Sequence, residues 1–395
     1  MLRWTARENK RDAFQWLIEH GKANVEAEDN HGCTMLHCAA LEDKWDVVQW
    51  LVEYGKANVD ATDNYYRTVL HYAAQRNKLD AVQWLVEHGK ANVEATGGSG
   101  RTVLHRAAQS NLDVVQWLVE HGKVNVEATD DSGCTVLHLA AKGNLDVVQW
   151  LVEHGKTNVE ATDNDGQTVL HYAAQANKWD IVQWLVGHGK ANVGAKDNYG
   201  ITVLHWAVRG NLDVVQWLVK HGKANVDATD GYGQTVLHWA ADESKCDVVQ
   251  WLVEHGANVN ATDIDGKTML HCAAQGNKLD VVQWLVEHGK ANVEATGDDG
   301  KTMLHYAAQG NKCDVVQWLV EHGKANVEAT DKYGQTALHC AAQGNVDVVQ
   351  WLVEHDANVN ATDIDGKTPL NLAEKRKHKE ITEYLKKDVI EINKI

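Results

Sequence analysis

The chain has 395 residues, 44% hydrophobic and 24% charged, with a formal net charge of −17 at pH 7. So acidic a balance argues against the broad basic face that nucleic-acid binding needs, and no run of about 18 apolar residues is present to cross a membrane. The opening MLRWTARENK reads as neither a secretory signal nor a targeting peptide, and seven cysteines without a C-x-x-C pair form neither a zinc nor a disulfide framework, so a cytoplasmic, intracellular protein is expected.

Along the chain, residues 1–28 align with the second part of a unit that then recurs, with Arg3 where later units carry His and Lys10 and Arg11 in the turn. A T-x-L-H anchor begins at Thr34, Thr68, Thr102, Thr135, Thr168, Thr202, Thr235, Thr268, Thr302 and Thr336, and TPLN closes the series at Thr368. Two one-residue choices account for the spacing: a long or short turn after the Ala-Ala pair (QGNKLD or KGNLD) and a long or short connection after the second helix (HGKANV or HGANV). Self-similarity at this period marks a stacked repeat rather than separate globular domains. The expected organisation is a capping partial repeat at 1–28, ten full repeats over 29–362, and a charged C-terminal cap over 363–395, because terminal repeats of a solenoid need a polar outer face.

Each unit reads as a hairpin loop, a short helix, a turn and a second helix. In TVLHYAAQ, Leu70, Ala73 and Ala74 fall at i, i+3 and i+4 on one helical face. In DVVQWLVEHG, Asp46 is expected as the N-cap with Gln49 completing a capping box. Val47, Val48, Trp50, Leu51 and Val52 make this helix apolar nearly all round, and Gly55 is expected to end it in the left-handed conformation. The D-x-x-G-x-T that follows carries the glycine of a tight hairpin tip.

The blocks D-x-x-G-x-T-x-L-H-x-A-A, G-N-x-D-V-V and L-V-E-H-G-A-N-V-N-A make the chain resemble ankyrin-repeat proteins over essentially its whole length. The resemblance implies an all-α solenoid of helix-turn-helix units with connecting hairpin loops. It further implies that partners bind at the hairpin tips and the concave inner-helix face, and that the anchor histidine hydrogen-bonds the neighbouring hairpin. The sequence departs from the family pattern in places. The Pro after Thr survives only as Pro369, an extra Lys lengthens most connections, Tyr66 replaces a turn glycine, and Gly97 and Gly297 replace the first Asp.

Of 22 histidines, ten belong to the anchor and ten to the end of the second helix; eleven of 16 tryptophans occupy the Q-W-L position. Residues that recur in every unit are read as structural: a histidine in the last turn suits the helix dipole, and the tryptophans form an apolar seam between repeats. Cys38, Cys272 and Cys340 share one repeat position and Cys246 and Cys313 another, as small fillers. No metal spacing, nucleophile elbow, P-loop or dinucleotide fingerprint occurs, so no catalytic, cofactor or metal residue is assigned. The N-A-T sequons at Asn260 and Asn360 match a glycosylation pattern, which a cytosolic loop would not use, and the resemblance implies at most hydroxylation there.

Function is therefore assigned to the letters that vary. Tyr65, Tyr66, Arg67, Tyr72, Arg76, Arg101 and Arg106 form one cluster in the second and third full repeats; Tyr199, Trp206, Arg209, Tyr232 and Trp239 form another in the sixth and seventh. Tyr, Trp and Arg are the side chains enriched where interfaces concentrate their energy, and the basic strip of the first cluster suits an acidic protein or peptide. The expectation is a monomeric, non-catalytic protein-interaction module without cofactor, nucleic-acid or membrane binding, resembling adaptors or microbial effectors that act in a host cytosol. A spacer solenoid without a binding patch is the alternative, and an enzyme or metal-binding protein is a third reading.

Overall fold

A computed structural model describes residues 24–109 and 112–392, the side chains of 388–392 excepted; the expectations for Arg3, Lys10, Arg11, Trp16 and His20 lie outside the described residues. Among the described residues there are 22 α-helices and no β-strand; extended pairing is confined to isolated bridges across hairpins, such as Thr96 with Thr102. The chain is an all-α repeat solenoid that divides into two compact units, Met1–Asn198 and Tyr199–Ile395. The first holds the helix pairs α1 Met35–Leu41 and α2 Trp45–Glu53, α3 Val69–Gln75 and α4 Leu79–Glu87, α5 Val103–Ala108 and α6 Leu112–Glu120, α7 Val136–Ala140 and α8 Leu145–Glu153, and α9 Val169–Gln175 and α10 Trp179–Gly187. The second holds α11 Val203–Ala207 and α12 Leu212–Lys220, α13 Val236–Asp242 and α14 Cys246–Glu254, α15 Met269–Gln275 and α16 Leu279–Glu287, α17 Met303–Gln309 and α18 Cys313–Glu321, α19 Ala337–Ala341 and α20 Val346–Glu354, and α21 Pro369–Arg376 and α22 Lys379–Ile392.

The apolar spacing gives each pair its core. Leu70, Ala73 and Ala74 of α3 are fully buried, as are Val82 and Leu85 of α4. Alanine at two core positions lets neighbouring first helices approach closely, while each buried Leu or Val contributes about 2 kcal/mol of transfer free energy. The Trp of the second helix is buried at Trp50, Trp117, Trp251 and Trp318 and half-buried at the other described positions. One ring face is covered by the residue four places on, as in Trp117 over His121 with centroids 5.7 Å apart.

Two local expectations are corrected. Asp46 is not the N-cap: α2 begins at Trp45, its cap is Lys44, and Asp46 lies in the first turn. The carboxylate there favours the positive helix end by charge rather than by a capping bond. Gly55 does not take the left-handed conformation; Lys56 does, at φ 56°, and its Nζ donates to the Glu53 carbonyl at 2.8 Å. The glycine is needed for a steric reason, since a Cβ at position 55 would stand 2.8 Å from the Leu51 carbonyl oxygen. The lysine that lengthens the connection is thus itself a C-terminal cap.

Successive repeats are stitched by their backbones. Along the tips, Asn64 N–H donates to His31 O (2.9 Å), Gly98 to Tyr65 O (2.6 Å) and Asp131 to Ser99 O (3.0 Å), and in the second unit Ile264 donates to Tyr232 O (3.0 Å). Nearer the helices, a carboxylate of one repeat accepts an asparagine N–H of the next: Asp60 Oδ1 from Asn92 (2.9 Å) and Glu94 Oε1 from Asn125 (2.8 Å). Each acidic residue of N-V-E-A is therefore an inter-repeat clip. Asn260 Oδ1 serves the same purpose for Asn292 at 3.1 Å.

Candidate partner-binding surfaces

At His37, His71, His105, His138, His238, His271, His305 and His339 the fold engages both ring nitrogens of the anchor histidine. At His71, Nδ1 accepts the Thr68 N–H at 3.2 Å and lies 2.9 Å from Thr68 Oγ1. Accepting a backbone N–H fixes Nδ1 as unprotonated, so Nε2–H donates to the Arg101 carbonyl of the next hairpin at 3.2 Å. The same bond runs from His37 to Arg67 O, His105 to Cys134 O and His305 to Gln335 O. Burial pushes the His71 pKa down to about 4, against the opposing effect of the Arg101 carbonyl. Among the described residues no group of three or more His, Cys, Asp or Glu side chains is placed to hold a metal ion. Burial raises the thiols of Cys33 and Cys272 to about 11 and that of Cys340 to about 12.

The first cluster is organised by Asp63, which the sequence did not single out. Its Oδ1 accepts the N–H groups of Tyr65 and Arg67 (2.8 and 2.9 Å), and its Oδ2 accepts from Tyr72 OH (2.7 Å) and Arg67 Nε (2.9 Å). Burial alone would raise this carboxyl, but the bonds from Tyr72 and Arg67 hold it below the ordinary aspartate value. Tyr72 is therefore 4% exposed and braces the hairpin from behind. Arg67 lies against the rings of Tyr65 and Tyr72, 4.9 and 4.7 Å from their centroids, and Arg101 Nε is tied to Asp130 at 3.1 Å. Two of the cluster's arginines are thus neutralised within the chain. What faces outward is Tyr65 and Tyr66, 59% and 67% exposed, the exposed Arg76, and the half-buried Arg106. Tyr66 holds φ 58° in place of the turn glycine.

In the second cluster, Trp206 and Trp239 meet edge to face with centroids 5.8 Å apart. Arg209 lies 5.1 and 4.9 Å from their centroids and pairs with Glu243 at 2.9 Å. Trp239 Nε1 donates to Asp230 Oδ2 at 3.0 Å, repeating the Asp63–Tyr72 relation nine residues apart. Both indoles are half-buried, whereas Tyr199 and Tyr232 stand 52% and 63% exposed at their tips. Beside Trp239 a cleft of about 450 Å³ opens, with Asp263, Lys267 and Cys272 in its lining. Cys272 stands there at the repeat position that Tyr72, Trp239 and Tyr306 occupy with a ring. The bond from an aspartate to the residue after the histidine could have been found in the sequence as a nine-residue spacing between D-x-x-G and an aromatic.

The sequence profile of the family described as Ankyrin repeats (3 copies) matches residues 1–63, 56–130, 123–197, 189–263, 255–331 and 323–395. Comparison with curated proteins gives no significant match. The tiling of profile matches, the helix pairs and the histidine bond between successive hairpins agree, and the chain belongs to the ankyrin-repeat family.

Proposed function

We propose that the chain is a non-catalytic protein-interaction module whose partners dock on hairpin tips and on the inner face of the first helices. One observation carries this reading. Of nine large apolar side chains that stand exposed among the described residues, seven are tip residues: Tyr65, Tyr66, Tyr199, Tyr232, Ile264, Tyr333 and Ile364. The tips are joined through backbone groups, so their side chains contribute little to stacking, and exposed apolar side chains gathered in this way mark interaction surfaces. Family membership supports the reading, since ankyrin repeats are generally protein-binding modules.

At the first cluster the uncommitted charges are Arg76 and Arg106, beside Tyr65 and Tyr66, which suits an acidic protein segment. The reading is tested by proximity labelling or pull-down with wild type and a variant carrying Tyr65, Tyr66, Arg76 and Arg106 as Ala. Loss of partners with unchanged helicity is expected, and unchanged capture by the variant overturns the assignment to this surface.

A further inference from the structure

We infer that Arg106 is the receptor for a carboxylate supplied by the partner, because the carboxylate that the repeat ordinarily supplies at this place is missing from the chain. The inference rests on the reading of the first cluster as a surface for an acidic segment and names the residue that makes it so.

Where the residue after the anchor histidine is Tyr72, Tyr172 or Trp239, its polar atom donates to the aspartate nine residues earlier: Tyr72 to Asp63 at 2.7 Å, Tyr172 to Asp163 at 2.7 Å, and Trp239 to Asp230 at 3.0 Å. The other carboxylate oxygen accepts two hairpin N–H groups, as Asp130 Oδ1 does from Ser132 and Cys134 at 3.0 Å each. Arg106 occupies this position in the third full repeat, and the residue nine before it is Gly97. The other repeat with glycine at the aspartate position, at Gly297, repairs the loss from within. There Asp299 accepts from Lys301 N–H at 3.0 Å and from Tyr306 OH at 3.1 Å. The residue equivalent to Asp299 in the third repeat is Ser99, which has no carboxylate to offer.

The consequence is visible at Arg106. Its Nε is buried without a protein partner. Burial, with Arg101 and Arg67 nearby, disfavours its charge, yet a guanidinium does not deprotonate in a protein. The nearby carboxylates Asp63 and Asp130 are taken up by Arg67 and Arg101, and neither bonds Arg106 Nε. A buried donor on a charged group is costly to leave unmade, and an incoming carboxylate would gain the strong bidentate pairing that guanidinium geometry favours. Room for the missing group exists: a Cβ built at Gly97 meets nothing closer than 3.4 Å, at His71 Nε2.

The geometry also supplies the test. Gly97→Asp would restore the carboxylate in cis and should close the site, while Arg106→Gln removes the receptor. The probe is a fluorescein-labelled hexaglutamate peptide read by anisotropy at low salt, with hexaglutamine as the neutral control and inorganic phosphate and acetate as competitors. Hexaglutamate should bind the wild type, and each variant should weaken it by about tenfold or more; Gly97→Asp should also raise the melting temperature, which shows that it folds. Absence of hexaglutamate binding, or affinities unchanged in both variants, overturns the inference. If affinity survives both but falls in Tyr65→Ala, Tyr66→Ala or Arg76→Ala, the surface reading stands and only the Arg106 receptor fails. Displacement by phosphate but not by acetate would assign the site to a phosphate and overturn the carboxylate.

Discussion

His71 Nε2 donates to the Arg101 carbonyl across 3.2 Å, so a side chain of one repeat closes a hydrogen bond on the backbone of the next. This bond and the one from Thr68 N–H to Nδ1 need a neutral ring. Burial lowers the His71 pKa to about 4, and burial likewise lowers those of His37, His105, His138, His238, His271, His305 and His339. In the unfolded chain each titrates near its ordinary value of about 6.5. Below that pH the unfolded state binds more protons, so the stability held above about pH 6.5 falls as pH drops toward 4. For His71 alone the loss is on the order of 3 kcal/mol at the acid limit, and the buried rings act together. Urea midpoints measured from pH 7.5 to 4.5 should fall steeply, and a flat profile over that range would refute the account.

Tyr66 sits at φ 58°, where other repeats place glycine. A side chain in the left-handed region costs about 1 kcal/mol, and such strain persists only where the surrounding structure holds it in place. Tyr66→Gly is therefore expected to stabilise the protein by about 1 kcal/mol while weakening partner capture. A variant no more stable than wild type in urea denaturation would show that the conformation carries no strain.

The fold was legible because one period carries all of it: T-x-L-H fixes where each first helix starts, and the apolar run after it fixes the second. Local chemistry was less so. An aspartate just before V-V-Q-W reads equally as an N-cap or as a first-turn residue, and only the backbone at Trp45 decides between them. A glycine just after the second helix reads as a left-handed cap, but Gly55 is required by the nearness of Leu51 O and Lys56 takes the turn. The first cluster was visible as a group of letters. What sequence order hid was that Asp130, 29 residues beyond Arg101, neutralises it, whereas Gly97 leaves Arg106 without a counterpart.

Glu94 is the plainest of the inter-repeat clips, its Oε1 accepting Asn125 N–H at 2.8 Å. Only an oxygen acceptor is needed there, as Asn260 shows by holding Asn292 N–H through an amide oxygen. Glu94→Gln should thus change stability by a few tenths of a kcal/mol, whereas Glu94→Ala should cost about 1 kcal/mol. Equal losses for both variants would mean that the charge, not the hydrogen bond, does the stitching.

Trp239 and Tyr232 separate support from contact within one repeat. Trp239 Nε1–H satisfies Asp230 Oδ2, and Asp230 is buried. Trp239→Phe keeps a ring beside Trp206 but removes this donor, which should cost roughly 1–3 kcal/mol. Tyr232 spends its backbone on the tip ladder, its carbonyl accepting Ile264 N–H at 3.0 Å, and leaves its ring 63% exposed. Tyr232→Ala should leave the urea midpoint within about 0.5 kcal/mol of wild type and reduce capture of partners that use this unit. If Tyr232→Ala instead destabilises the chain and Trp239→Phe does not, the two residues have been given each other's roles, and the tip tyrosines are packing rather than contact.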